Sequence, residues 1–548
     1  MKKTIIYALP ALAIAVASCA DSYEGDFKMD KPESVEHAEH LASLAQLNSV
    51  IDRAENPNFK LGLAVSSADY VSQGLTYSMS LTNFDFVTDP SALAYSSIYN
   101  DGLIVVTPVT DMVIENGPEV AGGAMLSYNA LPKSYLDEVI SPTFIKGDLE
   151  IGTFLANDFE DDAQGKEYAM NNGSTASVAA NPSGAEGNVL QVGSATAKAR
   201  NSYPVFTIAL PNGMTVANLT SVVFDLYCPD ANSQKRNFVA IVNGIRKNYT
   251  GDTPEKRGCP LETWMNKMVL DLTDIELTDE VRNATELTLS FGPNVNNSYY
   301  FIDNVLIGWT TGEPDKYVEK TEAEKAAALA DNFSSWADNV MSACAPGISE
   351  YIVLANPMSD VAPYALRSTE SETITDEDGV VVSDLSDKFF FNDYMGDNYL
   401  KTVTDCLLKS YSASGSGTPA FYVSESALLG NSDKTQSFLN QVAAWTAAGA
   451  KIDGIAVEMN NLEPTAENRQ AVTALFQSLS NSGKLVRLSN LSVANADADF
   501  YGFVVAEYFR LIKAENRAGI IFAGTYDLWK NNSRTDAYEA VLNALSKK

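Results

Sequence analysis

Residues 451–460 read K-I-D-G-I-A-V-E-M-N, and residues 485–493 read L-V-R-L-S-N-L-S-V. Each run is a short apolar strand that ends in polar residues, and residues 462–480 between them have the pattern of a helix. Strand, helix and strand in this order are typical of an α/β fold with parallel strands. The segment therefore predicts two neighbouring strands of a (β/α)8 barrel, the TIM barrel.

Similar elements are predicted on both sides of this segment. Further strands are expected at residues 59–65, 84–88, 122–132, 350–355, 420–424 and 519–523. Helices are expected at residues 37–54, 320–343, 397–412, 434–448, 465–480 and 534–546. Together these elements predict one barrel, with its first part at residues 57–150 and its second part at residues 313–548.

Residues 151–312 interrupt the barrel pattern. They contain short alternating strands separated by turns rich in Gly, Asn and Ser. A segment of roughly 150 residues of this kind suits one β-sandwich. We therefore expect an all-β sandwich of the jelly-roll type, inserted after the third barrel strand.

The strand segments resemble those of family 10 glycoside hydrolases, the retaining xylanases. Residues 451–460 resemble the sixth strand of that family (I-D-G-I-G-x-Q-x-H), and residues 84–88 (F-D-F-V-T) resemble its second strand (F-N-x-V-T). Residues 157–161 and 300–305 resemble the first and last strands of carbohydrate-binding jelly rolls. The resemblance implies a xylanase-like barrel with an inserted carbohydrate-binding module, as found in gut Bacteroidetes.

The two catalytic carboxylates of the family are replaced at the corresponding positions. The family's fourth strand ends W-D-V-V-N-E, whereas residues 352–357 read I-V-L-A-N-P, so Asn356 is retained and Pro357 replaces the acid/base. The nucleophile of the seventh strand (I-T-E-L-D) corresponds to Asn490. Because a retaining glycosidase needs two carboxyl groups about 5 Å apart, the resemblance implies a barrel without catalytic residues.

Other substrate-contact positions of the family also differ. Tyr128 and Asn460 replace histidines, and Glu458 replaces a glutamine. Residues 524–529 (G-T-Y-D-L-W) resemble the family's W-G-x-x-D-x-x-S-W motif after the eighth strand. The residues predicted at the barrel mouth are Asn356, Asn490, Tyr128, Glu458, Asp527 and Trp529.

A working hydrolase with relocated carboxylates is the alternative. Glu458, Asp527, Glu425 and Asp360 lie at or just after predicted strand ends. Two of them would have to face each other across the mouth. Each could equally be a solvated loop acid or a helix cap.

The inserted segment offers aromatic and polar residues that could bind sugar. Such binding needs aromatic faces for the pyranose rings and a few polar groups for the hydroxyls. The candidates are Trp264, Tyr249, Tyr203, Arg246, Asn237, Phe238 and Tyr299. Tyr249 lies in the polar run R-K-N-Y-T, which predicts exposure, although a core role is the alternative for any one ring.

A structural calcium ion is the one cofactor that the resemblance implies. Glu160 and Asp303 resemble the acids that hold calcium in carbohydrate-binding sandwiches, and backbone carbonyls could complete the coordination.

The N-terminus has the features of a bacterial lipoprotein signal peptide, residues 1–18. Two lysines precede an apolar run at residues 4–16, and V-A-S-C at residues 16–19 predicts lipidation of Cys19. A plain secretory signal is the alternative, and the run is too short to span a bilayer. Residues 19–56 would form the lipidated tether and first helix. The acidic residues after Cys19 resemble the export signal of Bacteroidetes lipoproteins, which predicts an outer-membrane protein facing the cell surface.

Composition excludes several classes of function. The formal net charge of −32 disfavours nucleic acid and polyanionic glycans, which favours a neutral polysaccharide or a protein as partner. The alternative is that the acidity only keeps a surface protein soluble. The only histidines are His37 and His40, which makes Ser-His-Asp catalysis and His-ligated zinc improbable in the folded body. Cys228 and Cys259 could pair, although buried thiols are the alternative.

These observations predict a surface glycan-binding lipoprotein built on an inactive barrel. By resemblance, it would capture xylan or a related β-linked plant glycan for a polysaccharide utilisation system that includes a TonB-dependent transporter and its lipoprotein partners. The alternatives are an active endo-β-glycosidase and a scaffold protein that binds no sugar.

Overall fold

The computed structural model describes residues 31–100, 103–104, 119–211, 213–234, 237–250 and 260–547. The predictions for residues 1–18, Cys19 and Cys259 lie outside these ranges. The chain forms two compact units, one comprising residues up to Ser141 together with Lys320 onward, the other Pro142–Glu319. No helix in these ranges is both long enough and apolar enough to cross a membrane.

The first unit is a closed barrel of eight parallel strands, with β8 pairing with β1, which confirms the predicted (β/α)8 fold. Strands β6 and β7 occupy the residues predicted for them. The strands are β1 Lys60–Ala64, β2 Phe86–Asp89, β3 Glu119–Ser127, β4 Ile348–Ala355, β5 Ala420–Glu425, β6 Gly454–Glu458, β7 Leu485–Leu491 and β8 Arg517–Phe522.

Helices cover the outside of the barrel. They are α1 Glu33–Ser43, α2 Leu75–Asn83, α3 Lys133–Ile140, α4 Glu322–Cys344, α5 Tyr399–Ser414, α6 Ser432–Ala447, α7 Ala466–Ser480, α8 Ala498–Leu511 and α9 Asp536–Leu545. Shorter helices lie at Ser67–Val71, Tyr95–Ile98, Thr369–Glu372 and Phe391–Met395.

Four of the numbered helices differ from the sequence expectation. The helix predicted at residues 37–54 ends at Ser43, and Leu47–Val50 form a separate 3-10 turn. The side chain of Arg534 donates hydrogen bonds to the backbone carbonyls of Leu41, Ala42 and Leu44. A helix leaves its last carbonyl groups without partners in the helix itself, and Arg534 supplies donors for them at the end of α1. Helices α2, α3 and α8 were not predicted.

The barrel interior is packed, and two glycines make this packing possible. A Cβ atom on Gly62 would lie 2.3 Å from the Phe86 ring, and one on Gly454 would lie 2.3 Å from the Tyr422 ring. Glycine therefore leaves the space that these inward-pointing rings fill, as expected for a barrel whose interior is a core.

A buried ion group occupies the same interior. Glu350 accepts hydrogen bonds from Lys60 (2.8 Å) and from Arg487. The Arg487 guanidinium also lies 4.1 Å from the centre of the Tyr422 ring, a cation–π contact. Burial alone would raise the pKa of Glu350, but Arg487 and Lys60 lower it to about 2. The carboxylate is therefore ionised at neutral pH.

We expect Glu350→Gln to lower the barrel's free energy of unfolding by about 3–5 kcal/mol at neutral pH, because Arg487 stays buried without its counter-charge. Since the pKa of Glu350 is lowered by folding, its contribution is complete above the unfolded pKa and is lost as the pH falls toward 2. Urea denaturation at neutral and acidic pH should therefore show a gap between wild type and variant that narrows in acid. Glu322→Gln, on the exposed face of α4, is the control, and a gap independent of pH would contradict the assignment.

The second unit is an antiparallel β-sandwich. One sheet contains Trp264–Asp271, Leu219–Tyr227, Tyr300–Thr311, Asn188–Val192, Thr175–Ala180 and Glu167–Ala169, with Glu150–Asn157 also pairing with Tyr300–Thr311. The other contains Val205–Ala209, Glu286–Pro293, Phe238–Val242 and Ile245–Tyr249. Their facing side chains form one core.

The second unit extends beyond the predicted bounds of residues 151–312. A two-stranded ribbon, Thr143–Ile145 paired with Lys316–Val318, joins its two ends. Pairing of these short strands places residues 142–150 and 313–319 with the sandwich instead of the barrel.

Candidate functional site

A cleft of about 560 Å³ opens at the carboxyl ends of β1, β2, β6, β7 and β8. This end of a (β/α)8 barrel is where enzymes of the fold place their active sites. The residues around the cleft are Ala64, Val65, Ser66, Asp69, Thr76, Asp89, Pro90, Ser91, Asn460, Asn490, Ala523, Gly524, Thr525 and Tyr526.

Two amide side chains, Asn460 and Asn490, stand in the cleft. Asn490 is half-buried, and Asn460 is exposed and accepts a hydrogen bond from the Ser492 hydroxyl (2.8 Å). An amide can donate and accept hydrogen bonds with sugar hydroxyls. It does not ionise near neutral pH, so it cannot act as a general acid or base.

The cleft's two acids are not arranged as a catalytic pair. Asp89 accepts hydrogen bonds from the backbone N–H (2.8 Å) and hydroxyl (2.6 Å) of Ser67 with one oxygen, and from Ser91 with the other. Asp89 therefore fixes the turns that follow β1 and β2. Asp69 is exposed in the first turn of the helix Ser67–Val71.

The segment after β8 contributes Tyr526 to the cleft, a residue that the sequence analysis did not select. Its side chain is 87% exposed, so a ring face is available to a ligand. The predicted mouth residues of the same segment lie elsewhere: Trp529 is buried against Phe84 and Tyr538, and Asp527 accepts a hydrogen bond from the Tyr501 hydroxyl.

Asn356 and Tyr128, predicted at the mouth, are buried outside the cleft. Asn356 accepts a hydrogen bond from the Ser426 N–H (3.1 Å), and its carbonyl accepts one from Arg367 (3.0 Å). Tyr128 packs among aromatic rings, including Phe390 and Phe391, and burial raises the pKa of its hydroxyl. The loop that follows β4 thus supplies the rings that surround Tyr128.

Glu425 and Asp360, two of the carboxylates considered for relocation, are held by Lys434 of α6. The Lys434 ammonium lies 3.0 Å from Glu425 and 2.6 Å from Asp360, and both Lys434 and Glu425 are 0% exposed. Burial raises the pKa of Glu425, opposed by Lys434 and by N–H groups of Met358 and Ser426. Neither carboxylate lines the cleft.

Glu458 is the remaining relocation candidate. It lies half-buried at the end of β6, and burial raises the pKa of its carboxyl, opposed by the charge of Lys434. A raised pKa suits a general acid, but Glu458 is not among the residues around the cleft, whose two acids are the exposed Asp69 and the hydrogen-bonded Asp89.

We expect Lys434→Met to destabilise the barrel by roughly 3–5 kcal/mol, because Glu425 would remain buried without a counter-charge. Adding Glu425→Leu should recover part of that loss, since the buried charge is removed while the Met358 N–H loses its acceptor. Chemical denaturation of the two variants tests this, and a double variant as unstable as the single one would contradict it.

Three glycan candidates of the sandwich are core residues. Phe238 and Tyr203 are fully buried, and Tyr249 is 4% exposed, so the predicted exposure of Tyr249 is wrong. Tyr203 donates its hydroxyl hydrogen bond to Asn294, and Tyr249 donates to the carbonyl of Asp271. These rings cannot offer a face to a sugar.

The other sandwich candidates are accessible. Arg246 and Asn237 are exposed, and Arg246 lies 5.8 Å from the centre of the Tyr203 ring. Trp264 and Tyr299 are half-buried and pack with Tyr227 and Phe301.

This aromatic cluster lies on the outer face of the larger sheet. Leu226 and Ile302 point into the sandwich core, so their strand neighbours Tyr227 and Phe301 point to the opposite face. Trp264 is fixed there by a hydrogen bond from its indole N–H to Asn181 (3.1 Å). The structure thus brings together Trp264 and Tyr299 of the predicted set.

Carboxylates gather near the predicted calcium ligands. Burial, together with the nearby charges of Asp225, Glu160 and Asp158, raises the pKa of Asp303 to about 6. Within the described ranges, no three His, Cys, Asp or Glu side chains are placed to share a metal ion. A site made of Glu160, Asp303 and backbone carbonyls stays a prediction.

If calcium binds there, calcium chloride should raise the Tm of the wild-type sandwich relative to EDTA, because the cation offsets the repulsion between the carboxylates. Asp303→Asn should abolish this rise, and the exposed Asp279→Asn should retain it. Differential scanning calorimetry measures the Tm of each protein with and without calcium. A wild-type Tm that does not change with calcium would show the prediction to be wrong.

Comparisons with known proteins return xylanases among the solved structures. The chain is similar to an endo-1,4-beta-xylanase from Caldicellulosiruptor owensensis, with 9% identity and a TM-score of 0.45 over 91% of this chain and 100% of that chain. It is also similar to an intracellular xylanase from Thermoanaerobacterium saccharolyticum, with 11% identity and a TM-score of 0.44 over 91% and 98%. A Cellvibrio japonicus xylanase in complex with xylopentaose gives 13% identity and a TM-score of 0.33 over 70% and 98%. No protein-family model and no curated protein matches the chain.

Proposed function

We propose that this protein binds a neutral β-linked plant polysaccharide, such as xylan, without hydrolysing it. The observation that carries the proposal is the barrel-mouth cleft, which presents Asn460, Asn490 and the exposed Tyr526 ring. Amides and an aromatic face are the groups that bind sugar hydroxyls and pyranose rings. The outer-sheet cluster containing Trp264 and Tyr299 supports a second contact surface on the sandwich.

The residues at the catalytic positions, and the contacts of the remaining carboxylates, argue against hydrolysis. Pro357 and Asn490 occupy the positions at which the resemblance implies the acid/base and the nucleophile. Glu425 and Asp360 are engaged by Lys434, and Asp89 is engaged by two serines. Hydrolysis with retention would need two facing carboxyls about 5 Å apart.

The cell-surface role remains part of this proposal. Cys19 would carry the lipid anchor in the outer membrane, and the protein would hold polymer near a transporter and active enzymes of a polysaccharide utilisation system. Several acyl chains anchor a protein stably, and many anchored copies make weak binding effective through avidity.

Affinity electrophoresis of the mature protein tests the proposal. Native gels would contain arabinoxylan, glucuronoxylan, mixed-linkage glucan, mannan or no polymer, and each polymer would be assayed afterwards for new reducing ends. We expect retardation in at least one gel without new reducing ends. New reducing ends would instead support a relocated active site, to be tested with Glu458→Gln, and no retardation in any gel would favour the scaffold alternative.

Two variants assign the binding surface. Tyr526→Ala removes the exposed ring of the mouth cleft, and Trp264→Ala removes the largest ring of the sandwich cluster. One stacked ring contributes about 0.5–1.5 kcal/mol beyond buried area, so the variant at the true site should clearly weaken retardation. Tyr317→Ala, which removes a 74% exposed ring outside both surfaces, is the control.

A further inference from the structure

A second cleft of about 880 Å³ lies on the flank of the barrel, between the loop after β4 and helix α6. Its walls are residues 358, 361–366, 368, 370, 371 and 373 of that loop, residues 392, 393 and 397 before α5, and Ser437, Asn440, Gln441 and Ala444 of α6. None of these residues belongs to the mouth cleft.

Helix α6 presents a polar face to this cleft. Ser437, Asn440, Gln441 and Ala444 are spaced i, i+3, i+4 and i+7 and therefore share one side of the helix, next to the buried stripe that contains Phe438, Val442 and Trp445. Here the positions hold a hydroxyl, two carboxamides and a methyl group. Gln436 donates a hydrogen bond to the Asn440 side-chain oxygen (2.8 Å), and the amide nitrogen of Asn440 carries two further donors.

The opposite wall supplies a ring and an unsatisfied acceptor. Tyr364 is half-buried beside Pro363 and borders the cleft. The side-chain oxygen of Asn392 is buried and has no hydrogen-bond partner among the described residues. A buried acceptor without a partner costs free energy unless a bound molecule or water supplies a donor.

The charges around the cleft restrict the ligand. Glu370, Asp393 and Asp397 line it, and no Lys or Arg is among its lining residues. Arg367, in the loop after β4, and Lys434, on α6, each form an ion pair with Asp360. An anionic ligand is therefore disfavoured, whereas a neutral ligand rich in hydroxyl groups would find amides, a hydroxyl and a ring.

We propose that this flank cleft is a second binding site for neutral oligosaccharides. This inference rests on the proposed glycan-binding function and adds a site to it. Amide groups of Asn440 and Gln441 would bind sugar hydroxyls, and the Tyr364 ring would contact a pyranose face. The volume lies within the range of small-molecule sites, about 300–1,000 Å³.

Isothermal titration of the full mature chain with xylohexaose and a mixed-linkage glucan hexaose tests the site. Because one hydrogen bond contributes about 0.5–1.5 kcal/mol, Asn440→Ala with Gln441→Ala should weaken one binding event about tenfold or abolish it. Tyr364→Ala should weaken the same event. Gln470→Ala, an exposed amide on α7 outside the flank cleft, is the matched control and should bind like wild type.

The outcomes separate this inference from the proposed function. The flank site is supported if the flank variants weaken a binding event of the wild-type protein and Tyr526→Ala changes a different binding event or none. Wild-type binding unchanged in all flank variants would overturn the second site and leave the proposed function standing. A wild-type protein that binds neither hexaose, nor any polymer in the gels, would overturn both. Circular dichroism checks folding, and Tyr364→Ala serves if the double variant does not fold.

Discussion

Closure of the barrel depends on filling its interior, and this chain fills part of it with charge. Glu350, Lys60 and Arg487 form an ion group from three strands, and the Tyr422 ring covers the guanidinium. Loss of Glu350, or a shift in strand register that moves it away, would leave the buried Arg487 without its counter-charge. The ion group therefore ties β1, β4 and β7 together in the observed register.

The two sides of the barrel mouth are lined by different kinds of residue. The ends of β1, β2 and β6–β8 surround an open cleft of amides and hydroxyls. On the β4–β5 side, the long loop after β4 contributes buried rings around Tyr128, and Lys434 holds two carboxylates together. Groups that could have served chemistry are instead part of the packing on this side of the barrel.

The sequence predicted the parts of the fold that local pattern controls. β6 and β7 are apolar runs bounded by polar residues, so their limits could be read directly. Helix α8 was missed because its aromatic and β-branched residues favour strands locally, while close packing at Gly502 against Ala540 of α9 decides the outcome. Tyr249 could have been placed correctly, since strand alternation buries it while Asn248 faces outward. Tyr526 could not, because the path of an irregular loop sets its exposure.

The ribbon that joins the ends of the sandwich has a consequence for how the chain folds and evolves. Because Thr143 pairs with Val318, the inserted unit begins and ends at neighbouring points. For the rest of the chain, it is therefore equivalent to a short connection between α3 and α4. Folding of the sandwich then offsets the entropic cost of closing this long loop, and the sandwich can form before β3 pairs with β4. An insertion of this kind is also exchangeable: another domain with adjacent ends could replace it and leave the barrel intact.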